Sequence, residues 1–103
     1  MKKSDKTKLY NSAVKLWGVN AQVDMAIEEA SELIKAICKL KRSGNSLETV
    51  SAVAEEIADV EIMIEQLKIM LCCRDDVENW KKYKIGRLSE RIEEAEKKHA
   101  NQD

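Results

Sequence analysis

Two short stretches hold the residues of this chain that could do chemistry. "EEASE" at 28–32 lies in the run "VDMAIEEASELIKAICKL", and "EEIAD" at 55–59 lies in the still more apolar run "VSAVAEEIADVEIMIEQLKIMLCC". Each contains an i,i+3 acid pair, Glu29 with Glu32 and Glu56 with Asp59. On a helix that spacing sets both carboxylates on one face. One such pair reads as a solvated face or an i,i+4 ion pair. Two, each embedded in a packed run, read as an oxygen-ligand set, because four converging carboxylates repel one another and a hard divalent cation relieves the repulsion. Mg²⁺ suits them, with Mn²⁺ as a substitute, since it keeps waters and shares its remaining positions with substrate phosphates. A phosphate-bearing substrate follows from that choice.

Other chemistries find less support. A carboxylate-bridged di-iron bundle wants Glu-x-x-His pairs, and the one histidine is His99 near the C-terminal end. Cys38, Cys72 and Cys73 have no CxxC spacing and no histidine placed to activate them, so they read as reduced core or interface thiols.

The elements that must carry the acids are helices. Phe and Pro are absent, Gly numbers 3, and the apolar residues are mostly Ile, Leu, Val, Met and Ala. Four helices are expected, at about 5–17, 20–42, 47–73 and 75–98. "WGVN" at 17–20 breaks the first from the second, with Gly18 in a left-handed position and Asn20 as a cap. "RSGNS" at 42–46 is the clearest turn, with Gly44 as the stop and Ser46 as N-cap. The third boundary, at "CCRDD", is only a change of polarity with Asp75 or Asp76 as a cap, and "HANQD" at 99–103 reads as a frayed tail after a single all-α domain at 1–98. Short connections imply antiparallel neighbours and a bundle. At 103 residues the chain is short for building a deep cleft alone, so completion by a homodimer or homotetramer is expected. Ile62, Ile69 and Met70, away from the main stripe of the third helix, are the surplus apolar residues that suggest it.

At about 100° per residue, the second helix has its apolar stripe on Val23, Ala26, Ile27, Ala30, Leu33, Ile34 and Ile37. Glu28 falls opposite it, whereas Glu29 and Glu32 fall on its flank. In the third helix Glu56 lies inside the stripe of Val53, Val60, Met63 and Leu67, with Asp59 beside Met63 and Gln66. A carboxylate desolvated there costs several kcal/mol unless it is paired, protonated or bound to metal.

A net charge of −1 offers no basic field for a nucleic-acid backbone. With no 18-residue uncharged run and no signal-like segment, a cytoplasmic protein away from membranes is expected.

The order Glu29-x-x-Glu32, then positions 33 to 55, then Glu56-x-x-Asp59 resembles the MazG-like all-α nucleoside triphosphate pyrophosphohydrolases, whose signature is ExxE, a spacer of this size and ExxD on two helices. The resemblance covers roughly Trp17 to Arg91, including "WGVNAQ" and "WKKYKIGRL", and is to the compact single-domain forms of the phage and Gram-positive type. It implies a helical bundle and Mg²⁺-dependent hydrolysis of a (deoxy)nucleoside triphosphate to the monophosphate and pyrophosphate. It also implies that Glu29, Glu32, Glu56 and Asp59 are the metal ligands, one of them taking the proton from the attacking water. Cations are needed for the phosphates, and Lys84, Arg87 and Lys81 lie on or beside the apolar stripe of the fourth helix (Val77, Ile85, Leu88, Ile92). Such long side chains also pack with their tips in water. For the base, Trp17 and Gln22, with Tyr10, are the stacking or hydrogen-bonding groups near the acid helix in sequence. The contrasting reading is a non-catalytic oligomeric helical module that binds nucleotide or acts as a scaffold. An acid at position 56 inside an apolar stripe argues against a pure interface.

Overall fold

A computed structural model describes residues 1–102, and every regular element among them is a helix: α1 (Lys3–Trp17), α2 (Val19–Ser43), α3 (Leu47–Met70) and α4 (Arg74–Gln102). The chain divides after Cys72 into two compact units, the first holding α1 to α3 and the second α4. The all-α class and the four helices agree with the sequence, and no helix among the described residues is long and apolar enough to cross a membrane.

In the first unit α2 and α3 pack along each other, and α1 touches both. The pair is antiparallel, since Gln22 near the start of α2 meets Gln66 near the end of α3. Ser46 turns the chain between them. Its Oγ accepts the Thr49 N–H at 3.1 Å, its own N–H donates to Thr49 Oγ1 at 2.9 Å, and that hydroxyl also reaches the Gly44 carbonyl at 2.9 Å. This reciprocal cap satisfies donors that the first turn of α3 would otherwise leave orphaned, and it explains why Thr49 is buried. Gly44, with φ of 84°, and Gly18, with φ of 91°, both take conformations that side-chain-bearing residues avoid.

Four boundaries differ from the sequence reading. Gly18 itself is the cap position of α2, so Asn20 lies inside that helix and caps nothing. α3 ends at Met70 rather than 73. Asp75 and Asp76 sit within the first turn of α4, where negative charge opposes the positive end of the helix dipole. α4 continues through His99–Gln102, across the stretch expected to fray, because nothing in "KKHANQ" forbids helix; Asp103 lies outside the described residues.

The end of α3 holds the one non-glycine residue with positive φ among those described, Cys72 at 49°. The Leu71 N–H donates to the Leu67 carbonyl and the Cys72 N–H to that of Ile69, so Cys72 fills the left-handed position after the cap that glycine usually takes. A Cβ there costs roughly 1–2 kcal/mol. Cys72→Gly is therefore expected to stabilise the chain by about 0.5–1 kcal/mol after the added freedom of the unfolded glycine is discounted, a gain readable in urea unfolding.

The packed face of α2 is rotated from the expected stripe. Gln22, Val23, Ala26, Glu29, Leu33, Ala36 and Leu40 are the buried or half-buried positions, while Ile27, Ile34 and Ile37 are exposed. The sequence counted all aliphatic positions as one stripe. The structure divides them between a face against α3 and a second face, and Glu29 moves from the flank onto the packed face. In α3 the expected stripe holds: Val53, Glu56, Val60, Met63 and Leu67 are all buried or half-buried. Ile69 and Met70 are half-buried and Ile62 is exposed, so the surplus apolar surface is mostly elsewhere than at those three residues. Met63 is the one buried hydrophobic residue among those described; the other buried ones are Gln22, Thr49 and Gln66.

α4 carries Trp80 and Tyr83 in an edge-to-face contact with ring centroids 6.2 Å apart. Apart from half-buried Val77, its Ile85, Leu88 and Ile92 stripe is exposed.

Candidate metal centre

Glu29 reaches the centre from α2, and Glu56 and Asp59 reach it from α3. Because the helices are antiparallel and Gln22 faces Gln66, residue 29 comes level with residue 59 along the hairpin. One carboxylate oxygen from each of Glu29, Glu56 and Asp59 lies within 4.8 Å of the other two, and all three residues are half-buried. Glu32, the fourth expected ligand, is exposed and outside this triad, although its charge is felt at Glu56. Glu28 and Glu55 are also exposed.

The electrostatics are those of crowded acids. Partial burial raises the pKa of Glu29 above its ordinary 4.5, and the neighbouring Asp59, by its charge and by a shared hydrogen bond, raises it further, followed by Glu56 and Glu28. Glu56 is raised by burial and then by Asp59, Glu32 and Glu55. Both shifts have the causes expected of carboxylates forced together without a counter-charge.

The sign of the pH effect follows. A carboxyl whose folded pKa is raised holds its proton longer in the folded state, so its stabilising contribution is present below 4.5 and is lost as pH rises through the raised value. In EDTA, the stability of the wild type relative to Glu56→Gln should therefore fall as pH increases from 4.5 towards neutrality, measured by thermal melts of both proteins at each pH. A flat difference would remove the coupling from this site.

The exposures also separate two adjacent acids. Glu28→Gln should leave divalent-cation binding within a few-fold of the wild type, whereas Glu29→Gln should weaken it about 10–100-fold, as measured by calorimetric titration with Mn²⁺. Equal losses in two folded variants would discard the assignment of Glu29 and not Glu28 to the centre.

Beside the centre lies an open pocket of about 650 Å³, lined by Trp17, Ala21, Gln22, Asp24, Met25, Met63 and Gln66. Gln22 is roughly 10 Å along α2 from Glu29, and Gln66 the same distance along α3 from Asp59. Two amides meet in the pocket wall: Gln22 Nε2 donates to Gln66 Oε1 at 2.7 Å, and both residues are buried, while Asp24 adds a carboxylate to the lining. No buried side-chain nitrogen or oxygen among the described residues lacks a partner. The expected base-contacting residues Trp17 and Gln22 thus share one pocket. The sequence reading missed Met25 and Met63 as lining residues and Gln66 as the partner of Gln22. An amide in the α3 stripe, seven residues after Asp59, was the signal for the last. Tyr10, half-buried on α1, is not among the lining residues.

Lys81, Lys84 and Arg87, the expected phosphate contacts, belong to the second unit. Lys84 and Arg87 line a shallow groove on α4 with Leu88 and Arg91, and Lys81 lies 3.9 Å from Glu78 with both side chains exposed.

Compared with known protein families, curated proteins and solved structures, the chain finds no match.

Proposed function

We propose that this chain is a Mg²⁺-dependent hydrolase that splits a nucleoside triphosphate into the monophosphate and pyrophosphate. The observation that carries the reading is the meeting of Glu29, Glu56 and Asp59 next to an apolar pocket of nucleobase-accommodating size. Three half-buried carboxylates without a counter-charge suit a hard cation, and their oxygen donor set suits Mg²⁺ or Mn²⁺ over softer metals. When bound, such an ion would neutralise the triphosphate and make a water acidic enough to attack phosphorus.

The chain's own groups divide the remaining work. Glu29, Glu56 and Asp59 would hold the cation, with Glu32 as an outer acid beside them. Burial and the neighbouring acids raise the pKa of Glu29 and Glu56, so these are the two carboxylates whose ionised form gains most from an added positive charge. Trp17 offers an aromatic side chain to the pocket, and Met25 and Met63 supply polarisable ones. The Gln22–Gln66 pair fixes the orientation of two amides, so that whatever hydrogen-bonding capacity they retain towards the pocket is preset for a base edge.

A pyrophosphate-release assay across the eight common ribo- and deoxyribonucleoside triphosphates, with Mg²⁺ and with EDTA, tests this. Release of pyrophosphate in Mg²⁺ alone is the expected result. Nucleotide binding without turnover would favour the alternative, a non-catalytic nucleotide-binding module, for which the large exposed aliphatic surface of α2 and α3 speaks.

A further inference from the structure

The pocket beside the acidic centre is lined by an indole, a methyl group, two thioethers, two amides and one carboxylate, that of Asp24. The amides are engaged with each other, Gln22 Nε2 donating to Gln66 Oε1 at 2.7 Å. Asp24 is exposed, and among the described residues it makes no hydrogen bond and no ion pair. An ionised carboxylate accepts and does not donate. On this otherwise mainly apolar lining it holds a ligand group that donates and repels one that only accepts or carries negative charge.

Its place relative to the amides and the acids is fixed by α2. At about 100° per residue, the lining residues of this helix follow one another around its axis as Gln22, Met25, Ala21 and Asp24, over an arc of about 160°. The amide pair therefore sits at the seam with α3, and Asp24 at the outer margin of the pocket. Glu28 and Glu32 fall within the same arc, so the pocket and the acidic residues share one side of α2. Along the axis Asp24 lies about 3 Å beyond the level of Gln22, and the level of Glu29 is about 7.5 Å further on.

From this arrangement we infer that Asp24 reads the sugar of the nucleotide: its carboxylate accepts from the 2′- and 3′-hydroxyls of a ribose, and the chain prefers ribonucleotides to deoxyribonucleotides. The inference rests on the reading of the pocket as a nucleotide site. In a nucleotide the sugar separates the base from the phosphates. With the phosphates at Glu29, Glu56 and Asp59 and the base against Trp17 and the amide pair, the polar side chain that lies between them at the pocket margin is Asp24. Phosphate oxygens cannot satisfy it, since they accept and carry negative charge, whereas the sugar hydroxyls are the donors between the two ends of the ligand. A vicinal diol offers two O–H donors to the two oxygens of one carboxylate; a deoxyribose offers one. Base and sugar are thus met by different residues on opposite margins of the pocket, so either preference can be altered without the other.

Calorimetric titration of the full chain in Mg²⁺ with the ribo- and deoxyribonucleoside monophosphates of each base reads the sugar preference without turnover. The wild type should bind the ribo form about 10-fold more tightly than the deoxy form of the same base. Asp24→Ala should bring that ratio to within about twofold, and Asp24→Asn, which keeps a neutral acceptor, should give an intermediate ratio. Removing a negative charge also strengthens the binding of every phosphate-bearing ligand, an effect that cancels in the ratio. A wild-type ratio near one, a folded Asp24→Ala variant that keeps the wild-type ratio, or the absence of binding by any of the nucleotides would overturn the proposal. Pyrophosphate release judges the proposed function separately. Release without a sugar preference leaves that function standing and removes this inference, whereas Asp24-dependent sugar preference in binding without release does the reverse.

Discussion

Glu56→Ala is expected to lower Mg²⁺-dependent pyrophosphate release about 100-fold or more, while leaving the metal-free protein as stable as the wild type or more so. The two halves of that result have one cause. Glu56 is half-buried in the α3 stripe between Val53 and Val60, with the charges of Asp59, Glu32 and Glu55 upon it. In the absence of a cation the folded state carries that repulsion and desolvation, so removing the carboxylate relieves both. With Mg²⁺ the balance reverses for the wild type. An ion that binds only the folded form stabilises it by mass action, about 2.7 kcal/mol at a hundredfold excess over its Kd. The variant, left with Glu29 and Asp59 as half-buried ligands, should lose most of that increment. Thermal melts of both proteins in EDTA and in Mg²⁺ separate the possibilities. If Glu56→Ala melts lower in EDTA and gains as much from Mg²⁺ as the wild type, Glu56 is a structural residue and the centre lies elsewhere.

What could be read from the sequence was set by which signals are local. Helix existence and most boundaries follow from composition and from Gly18, Gly44 and Ser46, whose effects act over a few residues. The α3 face was also legible, because Glu56 interrupts an otherwise continuous stripe and leaves one solution for its orientation. The α2 face was not. Ile27, Ile34 and Ile37 and the packed Val23, Ala26 and Leu33 lie at helix-compatible spacings, so periodicity alone cannot tell a helix with one broad apolar face from a helix with two. Small residues mark the difference: Ala26 and Ala36, uninformative by hydropathy, are half-buried on the same face as Glu29, which meets Glu56 and Asp59. The Gln22–Gln66 bond spans 44 positions and had no local signal at either end beyond an amide in an apolar run. Positions that need a partner from another helix are therefore the ones least visible in a single sequence.

That amide pair gives the second large effect. Gln22→Met or Gln66→Met alone should destabilise the chain by about 1–3 kcal/mol, because each single change strands a buried amide group without its partner. Methionine keeps the length and unbranched shape of glutamine, so the loss comes from the unmet hydrogen bond and not from a cavity. Replacing both removes donor and acceptor together, and the double variant should recover most of the stability lost by either single one, a strongly non-additive cycle. The same double variant also separates packing from recognition. Its pocket is still lined by Trp17, Met25 and Met63 but has lost both amides, so a nucleoside triphosphate would still enter while discrimination between bases would fall. Urea unfolding of the four proteins, read together with the ratio of kcat/KM across the four bases, checks both halves. Additive single-variant costs would mean that the 2.7 Å contact contributes nothing beyond the burial of each side chain. Unchanged base ratios in a stable double variant would remove Gln22 from any role in reading the base.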